Sequence, residues 1–148
     1  MTGQRRVRGG GRGAGQRKRP PRPRAPRPTV RERFEAVDRL LDGEVTDAGG
    51  VWSRATAWIL RLALEQSVDE LWSRLAPELM RCPMRAQLLA LRTFTDVDTA
   101  ARVSTVWVAL SRAAHHHDYE LAPSVTELRR WREQAEAIDA TLSRVATR

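Results

Sequence analysis

Val51-Trp-Ser-Arg-Ala-Thr-Ala-Trp-Ile-Leu-Arg-Leu-Ala-Leu-Glu-Gln-Ser-Val-Asp-Glu-Leu-Trp-Ser-Arg-Leu-Ala76 decides the fold of this chain. It contains no glycine or proline, follows Gly49-Gly50 and is stopped by Pro77, which cannot continue a helix without losing a backbone hydrogen bond. Trp52, Ala55, Ile59, Leu62, Ala63, Leu71, Trp72 and Leu75 recur at helical rather than alternating spacing. The spacing predicts one long helix over 51–76.

The flanking sequence repeats this logic. Thr29 and Glu32 have capping-box spacing, Phe34, Val37, Leu40 and Leu41 follow on one face, and Gly43 ends that helix. Pro83 suits the first turn of a shorter helix carrying Met84, Leu88, Leu89 and Leu91. Thr95, with Asp98 three residues on, opens a fourth helix over 96–117, with Val97, Val103, Val106, Trp107, Leu110 and Ala114 toward the core. Beyond Pro123, Ser124 and Glu127 repeat the capping box and start a last helix. Its Leu128, Trp131, Ala135, Ile138, Leu142 and Val145 form the seam of a helix packed along a neighbour. No strand pattern competes, so the fold class expected is all-α, a bundle of about five helices over residues 29–148. The five tryptophans fall on or beside apolar stripes and are assigned mostly to the core.

Residues 1–28 are different in kind, Gly/Arg-rich and then Pro/Arg-rich, with too few apolar side chains to offset the entropy of ordering them. They are expected to be a disordered tail. Residues 1–31 carry a charge of +11 and the rest −3, which together give the net +8 of the 148-residue chain, so the basic character belongs to the front. Arg5, Arg6, Arg8, Arg12, Arg17, Lys18, Arg19, Arg22, Arg24 and Arg27 are the candidate nucleic-acid contacts, since clustered guanidinium groups attract phosphate backbones without reading sequence. The same composition also fits a solubilising arm or an upstream extension without a role of its own.

Several classes are set aside on sequence grounds. Charges interrupt every apolar run, as in Ala57-Trp58-Ile59-Leu60-Arg61, so no membrane span is expected. Cys82 is the only cysteine, and no apolar stretch follows the basic front to act as a secretion signal, so the expected location is the cytoplasm. There is no Gly-rich phosphate loop, no cysteine pair and no serine-centred elbow.

The residues suited to chemistry gather in Arg112-Ala-Ala-His115-His116-His117. Imidazoles exchange protons near neutral pH, and a guanidinium beside them can hold a phosphate or carboxylate. On a continuing helix, consecutive histidines point about 100° apart and cannot all ligate one metal, so neither a metal nor another cofactor is expected. His115 and His116 share the face of Arg112, whereas His117 lies roughly 140° away on an ideal helix. A structural role at a helix C-terminus, where cationic side chains meet the dipole, stands beside the catalytic reading.

Two stretches together resemble the HEPN superfamily of helical-bundle domains: Arg54 through Trp72, with its Leu/Ala-rich helix, and Val106 through His117, where four residues intervene between Arg112 and His117 as in the superfamily's arginine-to-histidine motif. The resemblance covers roughly residues 51–122 and implies a four-helix core. Many members are metal-independent endoribonucleases of toxin or phage-defence type whose dimer interface joins two copies of the motif. The resemblance therefore implies a homodimer acting on RNA. His117 would assist attack of a 2′-hydroxyl on the adjacent phosphate, Arg112 would stabilise charge on phosphorus, and His115 and His116 are alternates. Active members commonly have a polar residue after the arginine, where this chain has Ala113. The alternative is a non-catalytic helical interaction module that binds RNA or a protein partner, such as a toxin–antitoxin or regulatory protein.

Overall fold

The computed structural model describes residues 26–43, 51–115 and 121–147, and these form an all-α bundle. The helices are α1 (Val30–Leu41), α2 (Val51–Leu75), α3 (Met84–Phe94), α4 (Val97–Ala114) and α5 (Val125–Val145), with a 3-10 turn over Pro77–Arg81 between α2 and α3. The loop expected through Gly49-Gly50 lies outside the described residues, as does most of the basic tail.

Helix ends follow local chemistry. Thr29 Oγ1 accepts from the Glu32 N–H at 3.2 Å while the Glu32 carboxylate accepts from the Thr29 N–H at 2.7 Å, closing the expected capping box. Gly43 adopts φ +83°, the left-handed conformation that ends α1 without the steric cost a side chain would bring. At α5 the Ser124 hydroxyl accepts from the Glu127 N–H at 3.2 Å and the Glu127 carboxylate accepts from the Ser124 N–H at 2.9 Å. Ser124→Ala is expected to lower stability by about 1 kcal/mol in urea denaturation. A wild-type midpoint would show that this cap contributes nothing.

The start of α4 is one residue later than the sequence reading. Asp96, not Thr95, is its N-cap, accepting from the Thr99 N–H at 2.7 Å. Thr95 instead closes α3, donating its hydroxyl to the Leu91 carbonyl at 2.9 Å. Two adjacent capping residues divide the two helix ends between them.

α2 is the centre of the bundle, packed against α1, α4, α5 and the 3-10 turn, while α3 lies on α4. Because neighbours surround it, its buried surface is not the single stripe read from its apolar residues. Leu60, Leu64, Val68, Leu71 and Trp72 are buried together with Ser53, Thr56 and Ser67, whereas Trp52, Ala55, Ile59 and Leu62 are only half-buried and Leu75 is exposed. The small polar residues are tolerated because they satisfy themselves. Thr56 donates to the Trp52 carbonyl at 2.7 Å, and Ser67 Oγ lies 2.7 Å from the Asp139 carboxylate of α5.

Other expected core positions are corrected in the same way. Val97 and Leu89 are 66% and 69% exposed, because they occupy the outer faces of the peripheral helices. Of the tryptophans only Trp72 is fully buried, packed edge-on to Phe94 at 5.2 Å, and Trp58 is 57% exposed. Trp52, Trp107 and Trp131 are half-buried at the core's margin. Trp107 spans the α2–α4 boundary, its indole N–H donating to Glu65 at 2.9 Å beneath the Arg61 guanidinium.

The first and last helices are tied by arginines of α5. Arg132 makes a bidentate contact with Asp38 at 2.8 and 2.9 Å, lies over the Phe34 ring and also pairs with Glu136. Arg129 donates to the Leu41 carbonyl at 3.2 Å, at the exposed carbonyl end of α1. Among the described residues no helix is long and apolar enough to cross a membrane.

Candidate functional site

α4 ends at Ala114, three residues before the sequence reading placed its end. His115 is the C-cap, with extended backbone (φ −80°, ψ 136°), and its N–H donates to the Arg112 carbonyl at 3.2 Å, a tightened last turn. The helical angle assumed for His115 therefore does not apply. His115 sits one tightened turn beyond Arg112, where the backbone becomes extended. Its imidazole is exposed at the point where the chain leaves the helix. His116 and His117 lie outside the described residues.

A tertiary contact holds this end in place. Arg54, in the first turn of α2, donates from Nη1 to the His115 carbonyl at 2.8 Å, across 61 positions of sequence. The α2 start, the α4 end and the α5 start then border a cavity of about 270 Å³, open to solvent, whose lining includes Arg54, Arg112, Leu121, Pro123, Glu127 and Trp131. Arg112 is exposed, while Arg54 and Trp131 are half-buried.

Among the described residues, the lining carries the Arg54 and Arg112 guanidinium groups and the Glu127 carboxylate. The Ser124 N–H, and then the Ser124 hydroxyl, hold the Glu127 carboxyl below the usual range, so it remains ionised and is unsuited to donating a proton near neutral pH. Two planar guanidinium groups can hold phosphate or carboxylate oxygens, with an indole ring and apolar rim alongside. Among the described residues no group of three His, Cys, Asp or Glu side chains is placed to hold a metal.

The candidate tail contacts divide differently. Arg5, Arg6, Arg8, Arg12, Arg17, Lys18, Arg19, Arg22 and Arg24 lie outside the described residues. Arg27 is exposed and lines a groove on the α1–α2 side with Glu65, Asp69 and Glu70. Burial, and then repulsion from Glu65, push the Asp69 carboxyl up, and Arg27 opposes them. Fifteen positions of α2 separate Asp69 from Arg54, roughly 22 Å along the axis, so Arg27 is no part of the Arg54–Arg112 cavity.

Sequence reading singled out Arg112 and missed its two companions. Arg54 stood in the stretch that carries the family resemblance but had no assigned role, and Trp131 was assigned to the α5 seam. Only the packing of three helices, from distant parts of the chain, brings these residues to one cavity. No family model matches this chain, and no match is found among curated proteins or solved structures.

Proposed function

We propose that this chain is a cytoplasmic, HEPN-like, RNA-directed protein that works as a homodimer and cleaves RNA without a metal, its basic tail adding affinity for the phosphate backbone. The observation that supports this reading most is the gathering of Arg54 and Arg112 at one cavity, immediately ahead of three consecutive histidines. In the proposed reaction the 2′-oxygen of a ribose attacks the neighbouring phosphorus and its proton passes to His117. The 5′-oxygen of the next nucleotide leaves and takes that proton back from the imidazolium, giving a 2′,3′-cyclic phosphate and a 5′-hydroxyl end. Arg112 neutralises charge on the phosphoryl oxygens as phosphorus becomes pentacoordinate.

The exposed face of α4 favours a dimer. Val97, Ala101, Thr105 and Val108 follow one another at helical spacing, all exposed, and Arg112 continues the same line. Two copies meeting along this uncharged face would bring two Arg112 side chains and two histidine runs to one groove.

The direct test incubates structured RNA with the protein in EDTA, alongside Arg112→Ala and His117→Ala. Cleavage by the wild type that both variants lose supports the enzyme. Equal cleavage by all three, or none by the wild type across pH and salt, refutes it. For the tail, deletion of residues 1–28 is expected to flatten the dependence of RNA affinity on salt. Each phosphate contact contributes about 0.7 to the logarithmic slope on single strands, so a change of several units is expected. An unchanged slope would deny the tail a nucleic-acid role.

A second reading, a non-catalytic module for a protein partner, draws on α2. Val51 and Trp58 are 64% and 57% exposed and lie with Ala55 on one face of the helix. Salt-sensitive RNA binding without cleavage products would favour a binding-only form of the first reading. Absence of any RNA affinity would favour this second one.

A further inference from the structure

We infer that the cavity between α2, α4 and α5 binds one unpaired nucleotide, its phosphate between Arg54 and Arg112 and its base against Trp131. This inference rests on the RNA-directed reading and narrows it to single-stranded segments. The arrangement joins two functions that a nucleotide needs and a simple anion does not, cationic forks and an aromatic ring lining the same cavity. Each comes from a different helix, so the packed bundle fixes their relative placement.

Arg54 is already oriented. Its Nη1 is committed to the His115 carbonyl at 2.8 Å, which holds the guanidinium plane beside the end of α4. Trp131 is half-buried, anchored at the margin of the core while still lining the cavity. Leu121 borders the same space and is 97% exposed, an apolar side chain with almost no cover from the rest of the protein. A base resting on the indole would cover it.

The volume, about 270 Å³, suits one nucleotide rather than a segment of duplex. A paired base is stacked on both faces within its helix and cannot offer a face to Trp131, whereas an unpaired base can. Stacking on an aromatic side chain is tolerant of sequence because every base has a π-face. The subsite therefore selects strandedness rather than base identity.

The test uses the full chain and two labelled probes, a single-stranded 12-nucleotide RNA and the blunt duplex of the same sequence, with binding followed by fluorescence anisotropy. Trp131→Leu keeps apolar bulk but removes the ring, and is expected to weaken single-strand binding about tenfold while leaving duplex binding unchanged. Trp131→Phe is expected to restore most of the loss. Independently of any variant, an oligonucleotide carrying 5-iodouracil should crosslink on irradiation to the 121–132 segment. Wild-type affinity in Trp131→Leu, an equal loss on both probes, or crosslinks confined elsewhere would overturn the subsite while leaving RNA binding intact. Failure of the wild type to bind either probe would overturn the subsite together with the RNA-directed reading beneath it.

Discussion

Under the proposed endoribonuclease mechanism, Arg112→Ala is expected to lower the rate of RNA cleavage by about 10²–10³-fold, the scale seen when one preorganised donor to a developing oxyanion is removed. The side chain is exposed on the last turn of α4, away from the buried core, so the substitution should change stability by less than about 1 kcal/mol. The loss would then be chemical rather than structural. Arg112→Lys separates charge from shape. An ammonium keeps the positive charge but not the planar fork, so activity between the wild type and the alanine variant is expected. The measurement is the single-turnover rate of appearance of 2′,3′-cyclic phosphate ends in EDTA, with thermal unfolding of each variant in parallel. Wild-type rates in Arg112→Ala would remove this residue from the mechanism.

Leu60→Ala is expected to cost about 2–5 kcal/mol, a large share of the roughly 5–15 kcal/mol that holds a domain folded. Leu60 is 0% exposed near the middle of α2, the helix that α1, α4 and α5 all pack against. No single neighbour can move inward to fill the space without leaving another contact. Leu89→Ala is the matched control. The same atoms are removed from α3, but at a side chain 69% exposed, and a change below about 0.5 kcal/mol is expected. Urea denaturation should show a lower midpoint for Leu60→Ala with an unchanged slope. Equal effects of the two substitutions would contradict the central placement of α2.

The residues that announced helices were those whose chemistry is local. Thr29 with Glu32, Ser124 with Glu127, Gly43 and Pro77 all act within a few positions of themselves, and their roles follow from side-chain geometry alone. The orientation of α2 was not legible for a physical reason. A helix with neighbours around it buries residues on more than one face, so Ser53, Thr56 and Ser67 entered the core that an apolar stripe would have denied them. The end of α4 was misread because no glycine or proline marks it. What holds the chain at His115 is an arginine 61 positions earlier, a contact no local pattern contains. The candidate site was legible by one residue in three. Arg112 stands out beside its histidines, whereas Arg54 and Trp131 gain significance only when three helices converge.

The arginine ties from α5 to α1 bear on how the basic arm is carried. α1 has 12 residues, too few for an isolated helix to persist in water, so it depends on what it packs against. Arg129 and Arg132 provide part of that support from the last helix in the chain. Force applied to the chain just ahead of α1 would thus pass through α1 into α5, and weakening α5 would loosen α1. The first and last helices form one mechanical unit, with the central helix packed against both.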